Sequence, residues 1–477
     1  MELHKNLIGG EWVGGEAVEN INPSNTDEVV GLYARATKED ALRAVAAAKA
    51  AAPGWGRSGI YQRHQILRAA ADEIFKRKDE IGRLLSREEG KTLPEGIGEA
   101  TRAAQIFDFF AGEALRLTGE SVPSVRPGVG VEMTREPIGV VGIITPWNFP
   151  IAIPAWKMAP AICYGNSVVI KPADLVPGCT WALVDILHRA GLPKGVVNLV
   201  MGKGSVVGQV LLDSSEVDAI TFTGSQTTGQ KVAEASVKHL RKFQLEMGGK
   251  NPFVVLDDAD LAVAVDCAIN GAFYSTGQRC TASSRLIVTE GIHDRFVAAL
   301  TEKMRGLKTD DALKEGTNIG PVVDPGQLKQ DEEYIAIGKK EGATLAIGGE
   351  RVERATKGYY LTPALFTEAT NQMRISREEI FGPVASVIRV KDYDEALAVA
   401  NATPFGLASG ICTTSLKYAT DFKRNAEAGM VMVNLPTAGV DFHVAFGGSK
   451  GSSFGPREQG KYAAEFFTTV KTAYVKG

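Results

Sequence analysis

Spacings that hold metals are missing from this sequence. It contains no Cys-x-x-Cys and no His-Glu-x-x-His, and its six histidines fall at no ligand spacing, so no metal site is expected. An excess of one charge sign is missing too. Lys and Arg number 53 against 56 Asp and Glu, a formal net charge of −3. Nothing basic is left over to hold a phosphate backbone or an anionic membrane, so neither nucleic acid nor membrane is expected as a partner. Cysteine is sparse. Cys163, Cys179, Cys267, Cys280 and Cys412 lie far apart, and an odd number cannot all pair internally. That usage suits a reducing compartment, and the opening Met1-Glu2-Leu3-His4-Lys5 lacks the basic-then-apolar layout of a secretion signal. A cytoplasmic location is expected.

What the chain does have is length and apolar content. Its 477 residues, 44% hydrophobic and 23% charged, predict a globular protein of two or three domains at about 150 residues each. Residues 137–156 carry no charge and are long enough to cross a bilayer, but Pro137, Pro146, Pro150 and Pro154 interrupt them. They read as a buried strand followed by a rigid loop, because lipid offers no partner for the carbonyls that proline frees.

Thr37, with Asp40 three residues on, predicts a capped helix that Pro53-Gly54 ends. Helical spacing continues over 61–89, stopping at Gly90, and over 99–115. Then strands and helices alternate. Apolar runs at 139–144, 167–170, 196–200, 219–222 and 243–245, and again at 253–256 and 285–289, predict parallel sheet covered on both faces. Two α/β units in tandem fit the length. Residues 131–135, after the turn Pro127-Gly128, and 466–474 are strand-like and belong to neither unit. As ribbon edges they are expected to build a subunit interface, the alternative being that both pack on their own chain.

Three segments carry residues suited to chemistry. Cys280 stands in Ser275-Thr276-Gly277-Gln278-Arg279-Cys280-Thr281, a polar loop in which a thiol would be accessible and electropositively placed. It is either a nucleophile or an inert loop cysteine, whereas Cys267 and Cys412 sit in apolar runs and read as core. Glu246 ends the run 243–245 before Met247-Gly248-Gly249-Lys250, at the rim where open sheets hold ligands; it is a general base or an ion-pair partner of Lys250. Asn148, in Thr145-Pro146-Trp147-Asn148-Phe149-Pro150, is an oxyanion donor or a turn residue.

Two glycine loops are weaker signals. Gly202-Lys203-Gly204-Ser205-Val206-Val207-Gly208 approximates a dinucleotide fingerprint with its last glycine one position late, and Gly224-Ser225 opens a helix able to hold a pyrophosphate. Gly447-Gly448-Ser449-Lys450-Gly451 satisfies the serine-hydrolase string, but loop residues follow it and His443, the last histidine, precedes it. Asp257-Asp258-Ala259-Asp260 suits a helix N-terminus better than calcium.

Taken in order, residues 145–150, Lys171-Pro172-Ala173, 222–225, 245–252, 277–280, Glu379-Ile380-Phe381-Gly382-Pro383 and Phe446-Gly447-Gly448 resemble the NAD(P)-dependent aldehyde dehydrogenase superfamily over nearly the whole chain. The resemblance implies an α/β fold with a Rossmann-type cofactor domain (1–118 and 138–248), an α/β catalytic domain (249–445) and a small β oligomerisation arm (119–137 and 462–477) of a homodimer or homotetramer. It implies Cys280 as nucleophile, Glu246 as general base, and Asn148 with the Cys280 amide as oxyanion donors. Trp147, Lys171, Asp174, Gly202, Gly224, Ser225, Glu379 and Phe381 would bind the cofactor. Asp174 stands where many NAD-using relatives carry Glu, implying NAD preferred and NADP tolerated. Ala445 replaces a common Pro.

The substrate is expected to be a small aldehyde. Arg279 beside the nucleophile suits a carboxylate-bearing one, with Phe149, Trp156 and Phe442 lining the tunnel. Residues 437–443 resemble the α-ketoglutaric semialdehyde (2,5-dioxopentanoate) dehydrogenase branch, and Trp156 replaces an Arg frequent in succinic semialdehyde enzymes. Succinic semialdehyde or general aliphatic aldehydes are the nearby alternatives. A cysteine-dependent thioesterase or amidase using Cys280 and His443 is the alternative of another class.

Overall fold

The computed structural model describes all 477 residues. In its first large sheet the spatial order is Ser453–Phe454, Lys242–Glu246, Ala219–Thr223, Val140–Ile144, Ser167–Lys171, Val197–Leu199, Asn6–Ile8 and Glu11–Val13. The five middle strands are parallel. Strands covered by helices on both faces read as unbroken apolar runs, which is why these were visible in the sequence. The order reverses beside Val140–Ile144: the next two strands step away on one side, the two after them on the other. Ligands of open α/β sheets bind outside the carboxyl ends at such a reversal. Residues 145–150, 223–225 and Glu246 all leave strands there.

The second large sheet places Ala364–Ala369, Val384–Val390, Ser283–Thr289, Asn251–Val255, Ala408–Cys412 and Met430–Val433 in parallel, with Thr344–Ile347 antiparallel at one edge. Separate apolar clusters fill its two faces. The chain then crosses back, since Ser453–Phe454 pairs antiparallel with Lys242–Glu246 of the first sheet. An N-terminal sheet of Leu3–His4, Asn25–Arg35 and Glu16–Asn22 was not anticipated. Its strands are short or strongly polar and show no clean alternation.

The two ribbon segments pair with each other. Thr468–Lys476 runs antiparallel to Val129–Pro137, which also carries Glu120–Pro123. Phe466 and Phe467 lie in the preceding helical turn Ala464–Phe467, because both rings are buried against the main core.

Several helix ends differ from expectation, each for a local reason. Pro53 does not stop its helix, which runs Lys38–Gly56; buried Trp55, whose Nε1 donates to the Ile162 carbonyl (3.1 Å), holds the last turn. The stretch 61–89 is two helices, Ile60–Lys76 and Lys78–Glu89, broken at Arg77, whose side chain bridges Glu73 and Glu80. Gly90 closes the second in left-handed conformation (φ 95°). The next helix is Leu93–Glu113, starting well before Glu99, because Thr92 donates through both its amide (3.2 Å) and hydroxyl (2.9 Å) to Glu95. The charge-free stretch holds a strand, a loop and then the fully buried helix Ala152–Cys163, where a longer rigid loop was expected. No helix is long and apolar enough to cross a membrane.

At Thr37 the capping box is complete: the Asp40 amide donates to the Thr37 hydroxyl (3.1 Å), and the Thr37 amide donates to Asp40 (2.9 Å). Thr37→Ala should destabilise the protein by about 1 kcal/mol. Urea unfolding should show a lower midpoint at unchanged slope; an unshifted midpoint would contradict the assignment.

Candidate active site

Cys280 follows the turn Tyr274–Gly277, where Ser275 (φ 52°), Thr276 (φ 56°) and Gly277 (φ 65°) take left-handed backbone in succession. For a non-glycine residue this costs roughly 1–3 kcal/mol and persists only under outside restraint. The restraints are specific. The Ser275 amide and hydroxyl donate to Glu95 (2.8 and 3.0 Å), the Thr276 hydroxyl donates to the Gly320 carbonyl (3.1 Å), and the Val323 amide donates to Gln278 (3.0 Å). At Gly277 a Cβ would collide with the Gly382 carbonyl. So held, Cys280 is partly exposed and contributes to the walls of two cavities.

The smaller cavity, about 220 Å³, lies at the strand reversal. Trp147, Asn148, Thr223, Gly224, Ser225, Gly248, Glu379 and Phe381 are among its walls. Trp147 and Phe381 meet edge to face at 5.4 Å, with Phe381 in left-handed conformation (φ 64°). Ser225 caps the helix Gln226–Lys238, leaving that helix's first amides directed toward this end of the sheet. Asn148 is buried; its Nδ2 donates to the Gln278 carbonyl (3.1 Å), which fixes the amide and leaves one N–H uncommitted. The larger cavity, about 450 Å³, is walled by Phe149, Trp156, Arg279, Val440 and Phe446 together with Lys91, Glu95, Glu99 and Arg102. A shallow third site contains Asp174 and Gly202 beside Tyr33 and Pro172.

Burial dominates the electrostatics. It pushes the Cys280 thiol up to about 12, aided by the carboxyls of Glu246 and Glu379. The electropositive setting expected for this cysteine is opposed: Arg279 and Arg102 are close enough to interact with it, but Glu246, at a strand end, and Glu379, in a loop, weigh more on the thiol. Burial likewise raises Glu379 to about 7, against the Gly249 amide that donates to it (2.8 Å). Glu246 is buried and raised well above the carboxylate range, first by desolvation and then by Glu458. Its Oε2 accepts from the Ser453 hydroxyl (2.6 Å). Lys157 pairs with Glu458, so one lysine serves two neighbouring acids. The alternative ion pair of Glu246 with Lys250 is absent. Lys250 Nζ is buried without a partner, and desolvation, followed by Arg285, lowers it to about 7.

The remaining expected residues divide. Glu246 and Phe442 form part of neither cavity wall; Phe442 packs against Phe109 (6.4 Å), and Phe446 takes the wall position instead. Lys171 is buried with Nζ donating to the Pro172 carbonyl (2.7 Å) and Asp174 (3.2 Å). Arg279 does reach the larger cavity, but its guanidinium is already engaged by Glu95 (3.2 Å) and by Asn270 (3.2 Å). His443 is exposed against Phe442 (5.4 Å), and no histidine lines either cavity. Ser449 lies in the two-residue strand Ser449–Lys450 and donates to the Glu427 carbonyl (2.8 Å), so no nucleophile elbow exists. Asp260 does cap a helix, Leu261–Phe273.

Sequence reasoning missed Glu95, Glu99 and Arg102, which one helix face brings to the larger cavity. The available signal was their spacing of four and three among the buried residues Ala100, Ala103 and Ile106. It also missed Gln327 and Gln330 on the smaller cavity, residues of a helix far away in sequence.

The sequence profile described as "Aldehyde dehydrogenase family" matches residues 12–473. An alpha-ketoglutaric semialdehyde dehydrogenase of Bacillus subtilis is 46% identical over 476 residues, covering 99% of this chain and 98% of that one. An alpha-ketoglutarate semialdehyde dehydrogenase of Haloferax volcanii is 44% identical, with 98% of each chain covered. Among solved structures, betaine aldehyde dehydrogenase of Staphylococcus aureus in complex with NAD+ superimposes with a TM-score of 0.96 at 35% identity, covering 99% of this chain and 94% of that one.

A thiol at about 12 binds its proton throughout the neutral range, and its thiolate fraction rises tenfold per pH unit. Iodoacetamide inactivation of the cofactor-free enzyme should therefore accelerate steadily from pH 7 to about 10. A plateau near pH 7 would show a thiolate stabilised by cations and contradict the burial argument.

Proposed function

The chain belongs to the aldehyde dehydrogenase family, and within it we propose that the enzyme oxidises a semialdehyde acid, α-ketoglutaric semialdehyde best matching its relatives, to the dicarboxylate with NAD(P). One observation carries the reading: a single cysteine is shared by two cavities of different character. The smaller cavity lies where an open sheet holds a nucleotide, and the larger one, lined by Phe149, Trp156 and Phe446 among polar residues, holds the aldehyde.

The residues of the smaller cavity fit a dinucleotide. Thr223 Oγ1 is buried there without a partner, the Gly224–Ser225 backbone opens a helix, and Glu379 accepts only one hydrogen bond, leaving an oxygen for a ribose hydroxyl. Trp147 and Phe381 form an aromatic corner. Gly202 and Asp174 flank the shallow site in which an adenosine ribose is expected. The carboxylate of Asp174 repels the extra phosphate of NADP, but its partner Lys171 offsets part of that charge. NAD is preferred and NADP tolerated. Bound in this cleft, the cofactor supplies the acceptor for the hydride that leaves the substrate carbon.

The protein's own groups do the rest. The Cys280 thiol gives up its proton to solvent water in the cleft, and its sulfur bonds to the aldehyde carbon as the carbonyl π pair moves to oxygen, making the carbon tetrahedral. The free N–H of Asn148 and the Cys280 amide donate to the oxygen that becomes negative; one such donor is worth about a hundredfold or more in rate. Once the carbon is a thioester, Glu246 turns from Ser453 to a water molecule and removes its proton, releasing the carboxylate. Glu246 does this in its ionised form, after giving up its own proton to solvent, and its raised proton affinity then makes it a stronger base than a carboxylate in water. A thioesterase or amidase built on Cys280 and His443 has no support, because the histidine is not at the cysteine.

The β arm supports assembly into a homodimer or homotetramer. Val470, Tyr474 and Val475 of its outer strand are about 60% exposed (58%, 60% and 59%), more apolar surface than a lone edge strand ordinarily leaves to water.

Cys280→Ser should abolish aldehyde oxidation, and Asn148→Ala should lower kcat about a hundredfold or more. Glu246→Gln should give one burst of reduced cofactor and then stall; steady turnover in this variant removes its role as base. In a panel of linear aldehydes read by the absorbance of the reduced cofactor, semialdehyde acids should outrun neutral aliphatic aldehydes. The opposite ranking contradicts the substrate class. Sedimentation at micromolar concentration should give a species larger than the 50.9 kDa chain, and a sharp monomer peak contradicts assembly.

A further inference from the structure

Three cations border the larger cavity, and two are already neutralised. Lys91 Nζ donates to Glu99 (2.9 Å), lies 3.7 Å from Glu89, donates to the Asn148 carbonyl and sits 3.8 Å from the Phe149 ring centre. Arg279 is paired with Glu95 and Asn270.

Arg102 differs. It makes one hydrogen bond, from Nη2 to the neutral side chain of Gln459 (3.1 Å), and no carboxylate stands within ion-pair distance. Its Nε is buried with no acceptor. The Arg102 guanidinium stands over the face of the Trp156 ring, 5.8 Å from its centre, and Trp156 Nε1 is also buried without a partner. Native proteins rarely leave a desolvated charge and an adjacent indole N–H unsatisfied, because each costs free energy that an acceptor would recover. Both side chains belong to the wall that also holds Cys280, with apolar Phe149, Val440 and Phe446 between and around them. Arg102 and Cys280 are close enough for each to perturb the other's charge.

We propose that Arg102, set over the Trp156 ring, is the anchor for the distal carboxylate of the substrate, and that Arg279 is a structural cation that braces the nucleophile turn through Glu95. The inference rests on the semialdehyde-acid reading above. The guanidinium fork takes one or both carboxylate oxygens, and the aliphatic chain lies along the aromatic wall with its aldehyde at Cys280. A neutral aldehyde leaves Arg102 without an ion-pair partner, as it is without substrate. Selectivity for acids then comes from satisfying a standing deficit.

The test is the ratio of kcat/KM for a five-carbon ω-oxo acid to that for its neutral methyl ester, measured in the same protein preparation, so that loss of folded enzyme cancels. In Arg102→Gln the ratio should fall about a hundredfold, mostly through KM for the acid, as for removal of one partner of a buried charge pair. Arg102→Lys should retain more of the preference than Arg102→Gln, since charge survives without the fork. An unchanged ratio in Arg102→Gln, or a collapse confined to Arg279→Gln, overturns the assignment while the acid-substrate reading stands. A wild-type enzyme that does not prefer the acid overturns that reading and this proposal together.

Discussion

The carboxylate of Glu95 ties the nucleophile turn to the helical layer of the first sheet, and the active site depends on that tie. Its Oε2 accepts from the Thr92 amide and hydroxyl, at the start of the helix Leu93–Glu113. Its Oε1 accepts from the Ser275 amide, the Ser275 hydroxyl and Arg279. Ser275 and Thr276 are residues that favour other backbone conformations, and the left-handed run they begin is what turns Cys280 toward both clefts. The helix whose first turn carries Glu95 also carries Glu99 and Arg102 to the larger cavity. One side chain thus sets the nucleophile's position and the location of the substrate wall relative to it. Thr37 makes a comparable capping arrangement with Asp40, but there the tie is only local.

Removal from water explains most of the unusual proton affinities around this turn. The Cys280 thiol, the Glu246 and Glu379 carboxyls and the Lys250 amine all shift toward their neutral forms, with burial the largest cause in each. A neutral resting site has a chemical advantage for a reactive cysteine, since the protonated thiol is protected until substrate and cofactor fill the clefts. Elsewhere the fold pairs its buried cations, Lys91 with Glu99 and Lys157 with Glu458. Against that background Arg102 stands out as the cation at the larger cavity with no carboxylate at ion-pair distance, only the more distant charges of Glu99 and Asp441.

The parallel strands and the chemistry at their ends were legible because both leave local signatures. Strands buried on two faces are continuous apolar runs, and Glu246, Asn148 and Cys280 each follow such a run or sit in a glycine-bearing loop. The family resemblance then joined segments that no local rule connects. What sequence could not give was the charge environment. The electropositive loop inferred around Cys280 is opposed by Glu246 and Glu379, which arrive from elsewhere in the chain, while Glu95 takes the guanidinium of Arg279. The same long-range pairing hid Arg102, whose importance lies in the absence of a partner. Helix ends slipped where tertiary packing overrode a local breaker, as at Pro53 under Trp55, or where a cap preceded the visible apolar stripe, as at Thr92. The N-terminal sheet escaped notice because its polar strands owe their pairing to neighbours.

The central claim is that the Cys280 sulfur carries the substrate as a thioester between oxidation and hydrolysis. Acid quenching of Glu246→Gln within seconds of mixing with NAD and a five-carbon semialdehyde acid, followed by peptide mass analysis, tests it directly. The account predicts one acyl group on the peptide that contains Cys280, in amount equal to the reduced cofactor formed. Reduced cofactor with no acyl group on that peptide, or with the group on another residue, would contradict it.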